Sequence, residues 1–427
     1  MSLEIRRVDP LKDFKELKIT LPSSKSLTQR AFLCAGLAEG SSLIKNPLRS
    51  EDPLLLKEAL EKTGVSFELR GDDYLIKGVR GRPRLQREKT YLGNNGTGAR
   101  FFLAYASLGE GDWLEIYGKE RLHERPMDSL IFALRGLSAR IECLQREGYL
   151  PVRVYASKLK SSPIKLPGNV SSQFISALLL VGPYLPSGLE IKIEGELFSQ
   201  SYVEMTLEVM RKFGVNPEFR EGVFYVPKGA YQAREYEVPA DASSASYFLA
   251  IPLILGRGKV IISNYDYHTK QADVAFLEFL REMGAKVSPL EPLGIEVSFE
   301  GRPKGGKFNL RDCPDLFPTM AVLGALAEGE TLLYGAPHLR YKETDRIKAM
   351  ATELSKLGVK IEELPDGLKI RGGEEFREAL INTYDDHRIA MAFAVLALKA
   401  GPLQIENPSC VAKSLPSFWE LLERIYE

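Results

Sequence analysis

The stretch TDRIKAMATELSKLGVKIEELPDGLKIRG, Thr344 to Gly372, is a near copy of SEDPLLLKEALEKTGVSFELRGDDYLIKG, Ser50 to Gly78, almost three hundred residues before it. Each reads as a polar start, an amphipathic helix, a glycine and a strand hairpin. In the later copy Ile347, Met350, Ala351, Leu354 and Leu357 fall at helical spacing, and Gly358 ends the run. VEMTLEVMRKFGV, DVAFLEFLREMGA and the weaker MDSLIFALRGLSA carry the same helix. Their pivots, Gly64, Ser138, Gly214, Gly284 and Gly358, stand 70 to 76 residues apart. The chain is built from an internal repeat.

A second series runs in step with the first: SKSLTQRAFLCAGLAEG, NGTGARFFLAYASLGEG, VSSQFISALLLVGPYLPSG, DASSASYFLAIPLILGRG, CPDLFPTMAVLGALAEG and DDHRIAMAFAVLALKAG. Aligned on Ser26, Thr97, Ser172, Ser244, Asp315 and Asp386, the copies step by 71 to 75 residues. Each opens on Ser, Thr, Asp or Asn and is then apolar on every face, which is the pattern of a helix buried inside a domain. The first series, amphipathic, should lie outside. With 427 residues, long for one core, six copies predict an α/β protein of two similar lobes with three copies in each. Residues 22–238 make one lobe; 1–21 with 239–427 make the other.

Composition narrows the function. Lys plus Arg and Asp plus Glu both number 57, so the formal charge is zero and a general nucleic-acid or anionic-membrane binder is disfavoured. Cys34, Cys143, Cys313 and Cys410 lie far apart with no CxxC pair, which points to neither a zinc framework nor a disulfide scaffold. MSLEIRRVDP has no apolar signal core, and runs such as ISALLLVGPYL are too short to cross a bilayer, so a soluble cytoplasmic protein is expected.

The helix starts say more. A helix N-terminus leaves amides unpaired and carries about half a positive charge, so it favours anions. Lys25, Arg30, Arg100, Arg125, Lys342, Arg346, Arg388 and Lys413 cluster near these starts in a chain with no net charge. That placement predicts a concentrated site for a small, multiply charged substrate, with Arg forks suited to carboxylate and phosphate. Singly, each residue has a plainer reading: Ser26, Ser171, Ser172 and Ser244 as N-caps, Asp315 and Asp386 as caps, YKETDRIKAM as a surface helix with ion pairs, His387 as a structural histidine. GNNGTGAR fits anion binding but is neither a Walker pattern nor GxGxxG.

Taken in order, LPSSKSLTQR, LGNNGTGAR, ERPMDSL, SSQFISALLL, DASSASYFLA, CPDLFPTMAVLGALAEG, RYKETDRI, YDDHRIAMAF and AKSLPSFWELL resemble the enolpyruvyl transferases, in the branch that acts on shikimate 3-phosphate, from about residue 21 to 425. The resemblance implies an inside-out α/β barrel in each lobe, three βαβαββ-type units around buried parallel helices, with the active site in the cleft between lobes. It implies transfer of the enolpyruvyl group of phosphoenolpyruvate to the 5-hydroxyl of shikimate 3-phosphate. By the same resemblance, Lys25, Ser26, Arg30, Ser171, Ser172, Ser199, Tyr202, Asp315 and Lys342 hold shikimate 3-phosphate. Lys25, Asn94, Gly96, Arg125, Gln173, Arg346, Arg388 and Lys413 hold phosphoenolpyruvate, and Lys25, Asp315, Glu343, His387 and Lys413 form the catalytic set.

The chemistry calls for these types. A hydroxyl must lose a proton as it attacks C2, C3 must gain one, and the tetrahedral intermediate must then expel phosphate and give up a C3 proton. Asp315 is the candidate base, with Lys25 sharing proton transfer; Glu343 and Lys413 divide the C3 proton and the leaving phosphate in an order the sequence leaves open. No metal and no cofactor is expected, and a monomer with the two small-molecule substrates is. Asn95, Phe101 and His338 depart from the family's usual residues. The related transferase of UDP-N-acetylglucosamine carries a Cys on a loop near GKERLHERPMDSL, where this chain has none. An RNA-acting protein of similar units would want a basic surface that zero net charge does not offer.

Overall fold

All six apolar stretches are helices in the computed structural model, which describes residues 4–169, 171–373 and 375–426. They are Lys25–Leu37, Gly96–Ala106, Ser172–Val181, Ala242–Leu249 with Ile251–Leu255, Phe317–Leu326, and His387–Ala400. Every residue of Phe317–Leu326 is buried, and so is all of His387–Ala400 except Lys399. Such helices are stable only when surrounded, each buried Leu, Ile or Phe contributing roughly 1.5–3 kcal/mol.

The surrounding layer is the amphipathic series. Arg346–Lys356 buries Ile347, Met350, Ala351 and Leu354 and exposes Lys348, Thr352 and Ser355. All five pivots that end these outer helices have left-handed backbone: Gly64 at φ 99°, Ser138 at 73°, Gly214 at 87°, Gly284 at 104° and Gly358 at 89°. After each pivot the next amide reaches back to a carbonyl in the last turn, Val65 to Leu60, Ala139 to Leu134, Val215 to Met210, Ala285 to Leu280 and Val359 to Leu354. This closure satisfies the orphan carbonyls and turns the chain into the hairpin.

The fifth copy shows the unit whole. Lys307–Asn309 pairs in parallel with Glu330–Tyr334 across the inner helix Phe317–Leu326; the outer helix follows, then the antiparallel hairpin Lys360–Leu364 and Gly367–Arg371. That is a βαβαββ unit. Three copies depart from this simple order. The strand that completes the first copy, Glu235–Glu237, is parallel to Ser41–Lys45. Glu16–Ile19 does the same for Lys259–Ile262 in the fourth. In the sixth, Ile5–Val8 lies antiparallel to Leu403–Glu406, itself parallel to Ala379–Ile381. The chain thus divides into two compact units, 23–238 and 1–22 with 239–427, each with its own hydrophobic core. Among the described residues no helix is long and apolar enough to cross a membrane.

Ser138 bears the left-handed cost that glycine avoids. Ser138→Gly should raise stability by about 0.5–1 kcal/mol, while Gly358→Ala should lower it by about 1 kcal/mol. At Gly358 a Cβ would meet nothing closer than 3.7 Å, so that loss is conformational. Urea midpoints at unchanged m-value are the check.

Candidate active site

In the unit of residues 23–238 the three inner helix starts are laced together at one end. Ser24 caps the first by accepting from the Leu27 amide (3.4 Å), and Lys25 Nζ donates to Asp52 Oδ2 at 3.0 Å. Asn95 caps the second through the Gly98 amide (2.7 Å), and its own side-chain amide donates to Gln29 Oε1 and to the Asp52 carbonyl, both at 2.8 Å. Ser171 caps the third through the Gln173 amide (3.3 Å). Gln173 then spans to the second helix, donating to Thr97 Oγ1 (2.9 Å) and accepting from Arg100 Nη1 (2.6 Å). Three sets of first-turn amides therefore open on one region, with Lys25 beside them.

Arg125 donates to the Asn94 carbonyl at 3.2 Å, and its guanidinium lies so close over Gly96 that a Cβ there would stand 2.3 Å from Nη2. Gly96 is needed for that approach. Arg30 is 1% exposed, its Nε bonded to Thr206 Oγ1 (2.8 Å) and its Nη atoms to the Ser26 and Tyr202 carbonyls. It rests over the Phe101 ring, 5.2 Å from the centroid, and burial lowers it to about 10, leaving it charged at neutrality. Ser199 starts the helix Gln200–Lys212 with a left-handed backbone, φ 54°.

The other unit gathers a denser cluster. Arg346, the first residue of its helix and 1% exposed, faces three carboxylates. Its Nε and Nη2 reach Asp386 at 2.8 and 3.3 Å, Nη1 reaches Asp315 Oδ1 at 3.0 Å, and Nη2 reaches Glu343 Oε2 at 2.8 Å. Arg388 Nη2 takes the other Asp315 oxygen at 2.7 Å, and Lys413 Nζ stands 3.5 Å from Glu343 Oε1. Asp386 also caps its own helix through the Arg388 amide (2.9 Å).

The electrostatics follow from this geometry. Burial alone would raise Asp315, but Arg388, Lys342 and Arg346 overcome it and hold the carboxylate well below its usual range. Burial works against the charge of Arg346, yet Asp386, Glu343 and Asp315 hold it above its ordinary value. His338 is pushed down to about 3, by burial first and then by Lys342, so it is neutral at pH 7. His387 is fully buried with Nδ1 3.7 Å from Asp386 Oδ1, the carboxylate that also holds Arg346.

The residues expected from the sequence therefore fall into two groups, Lys25, Ser26, Arg30, Asn94, Gly96, Arg125, Ser171, Ser172, Gln173, Ser199 and Tyr202 in one unit, and Asp315, Lys342, Glu343, Arg346, His387, Arg388 and Lys413 in the other. Sequence reading missed Asp52 as the partner of Lys25, Asn95 as the tie between starts, and Asp386 as the counter-ion of Arg346. The Ser244 hydroxyl donates to its own cap, Asp241 Oδ2, at 3.2 Å.

A repeated α/β unit whose helix starts hold clustered lysines and arginines defines an enzyme for small polyanions. The model of the family described as EPSP synthase (3-phosphoshikimate 1-carboxyvinyltransferase) matches residues 13–422. A 3-phosphoshikimate 1-carboxyvinyltransferase of Sulfurovum sp. (strain NBC37-1) is 40% identical, and one of Vibrio vulnificus (strain YJ016) 37%, each alignment covering 96% of both chains. A solved structure of EPSP synthase from Acinetobacter baumannii superposes with a TM-score of 0.82 at 28% identity, covering 99% of this chain and 98% of that one. The chain belongs to the EPSP synthase family. It is an enolpyruvyl transferase of the shikimate pathway.

Removing the charge of Asp386 leaves Arg346 buried against a weaker counter-charge. Asp386→Asn, which keeps an oxygen for the cap, should cost about 3 kcal/mol of stability in urea unfolding.

Proposed function

We propose that the two clusters serve one reaction, addition of the shikimate 3-phosphate 5-hydroxyl to C2 of phosphoenolpyruvate followed by loss of phosphate, and that Asp315 is the base that takes the hydroxyl proton. The observation that carries this reading is the Asp315 carboxylate gripped by two arginines, Arg346 at 3.0 Å and Arg388 at 2.7 Å. So held, it is a poor base. Phosphoenolpyruvate, bound by Arg346, Arg388 and Lys413, draws the two guanidinium groups away and restores its basicity when the acceptor is to be deprotonated. Lys342 orients the acceptor's hydroxyls beside it.

The remaining steps use the other residues. As the hydroxyl oxygen bonds to C2, C3 takes a proton, and Glu343 and Lys413, 3.5 Å apart, are placed to exchange one. Collapse of the tetrahedral intermediate returns that proton from C3 and breaks the bond between C2 and the phosphate oxygen, releasing phosphate. Lys25, Arg125 and the first-turn amides at Gly96 neutralise the charge growing on the leaving group, a contribution commonly larger than proton transfer. Ser171, Ser172, Ser199 and Tyr202, with Ser26 and Arg30 behind them, hold the acceptor's phosphate and neighbouring groups. The steps are C–O bond making and breaking with proton transfer and charge neutralisation, for which these side chains suffice without metal or cofactor; a cytoplasmic monomer is part of the same proposal.

Phosphate release from phosphoenolpyruvate should occur with shikimate 3-phosphate and not with UDP-N-acetylglucosamine. In Asp315→Asn, kcat should fall by about 10²–10⁴ while both substrates still bind. Release with the nucleotide sugar alone would place the acceptor elsewhere, and an active Asp315→Asn enzyme would remove the base.

A further inference from the structure

Asp273 is the second residue of the short 3-10 turn Ala272–Ala275 and is 2% exposed. Ser243 Oγ donates to its Oδ2, while Oδ1, equally shut from solvent, meets no hydrogen-bond donor among the described residues. Gln271 fixes this turn onto an inner helix start, accepting from the Ala242 amide (3.2 Å) and donating to the Ala240 carbonyl (2.7 Å). The charged and titratable groups facing Asp273 come from every side: Asp241 at that helix start, Cys313 and Asp315 from the next copy, Arg388 from the sixth, and Tyr265 from the loop after Lys259–Ile262. Asp241 is committed to its cap, accepting from the Ser243 amide at 2.9 Å.

A capping role for Asp273 would leave no reason to bury a second carboxyl here with one oxygen unmet, an arrangement that penalises its charged form. A guanidinium acting on it is that of Arg388, whose Nη2 is bonded to Asp315. We propose that Asp273 is a positioning residue of this enzyme: the charge it carries decides how strongly Arg388 is drawn from Asp315, and hence how well Arg388 receives the anion phosphoenolpyruvate. This rests on the placement of Asp315 and Arg388 at the reacting groups.

Burial and then Asp315 raise the Asp273 carboxyl to about 7, against the pull of Arg388 and Ser243. Below neutrality it is uncharged and Arg388 is left to the substrate; above it, the new anion competes for Arg388 and repels phosphoenolpyruvate. The effect belongs in KM.

The test compares the full-length wild type with D273N and S243A, measuring kcat and KM for phosphoenolpyruvate from pH 5.5 to 9 at fixed ionic strength. Ionisation of the substrate's own phosphate, near pH 6, is common to all three and cancels in ratios. The wild-type KM divided by that of D273N should rise about tenfold from pH 6 to 8.5, the order expected for one buried charge at an effective dielectric near 20, while the kcat ratio changes less than about twofold. S243A removes a donor that favours the anion, so its rise in KM should move to higher pH, and this arm stands even if D273N does not fold. Stability gives a readout apart from activity. The folded carboxyl lies above its unfolded value of about 3.9, so the stability it confers is full below that value and lost as pH climbs to about 7. The Tm of D273N should therefore pull above that of wild type by a few °C between pH 5 and 7, then keep a constant lead. A flat KM ratio, a loss shared equally by kcat, or an unmoved S243A profile overturns the proposal. If D315N is inactive and the KM ratio is flat, only the role of Asp273 fails; if D315N is active, the underlying placement fails.

Discussion

Helices apolar on every side have nowhere to show a functional group except at their ends. His387–Ala400 and Phe317–Leu326 are enclosed along their length, so the first-turn amides and the residues just before them are what such a core can present. The amides bring partial positive charge without the entropy of a side chain, and the lysines and arginines add the full charge. The site chemistry is a consequence of how the core is filled.

Concentrating cations in this way requires matching carboxylates. Arg346 is buried among Asp386, Glu343 and Asp315, and Lys25 among neighbours that include Asp52. Buried pairs of this kind add little net stability over apolar packing, and losing one member is costly. What such pairs do is hold each charge at a fixed place, and under the proposed function substrate binding exchanges one set of partners for another in place of desolvating them anew.

Much of this was legible in the sequence because it follows from periodicity. The inner and outer helices, the pivots and the arginines near helix starts follow from spacing, and even Ser138 aligns with four glycines and shares their left-handed φ. The residues that were missed depend on neighbours distant in sequence. Asp52 sits in the first turn of an outer helix, where a carboxylate is expected for the dipole alone, and nothing local announces Lys25 across 27 positions. Asp386 read as a cap and is one, but its second bond, to Arg346, spans 40 positions. Asp273 lies in a segment that looks like an ordinary helix entry. Nor does any pattern pair Ile5–Val8 with Leu403–Glu406, since four residues, IRRV, carry too little alternation to choose a partner.

That pairing sets a timetable for synthesis. Between Val8 and Leu403 lie almost 400 residues, which a ribosome adding about 5–20 residues per second takes roughly 20–80 s to make. Glu16–Ile19 likewise waits for Lys259–Ile262. Residues 23–238 are all made before the second wait ends, so that unit has time to fold while its neighbour's first two strands stand unpaired. Both strands are only four residues long, and three of those eight residues, Arg6, Arg7 and Lys18, are basic, which discourages pairing with another nascent chain on the same message.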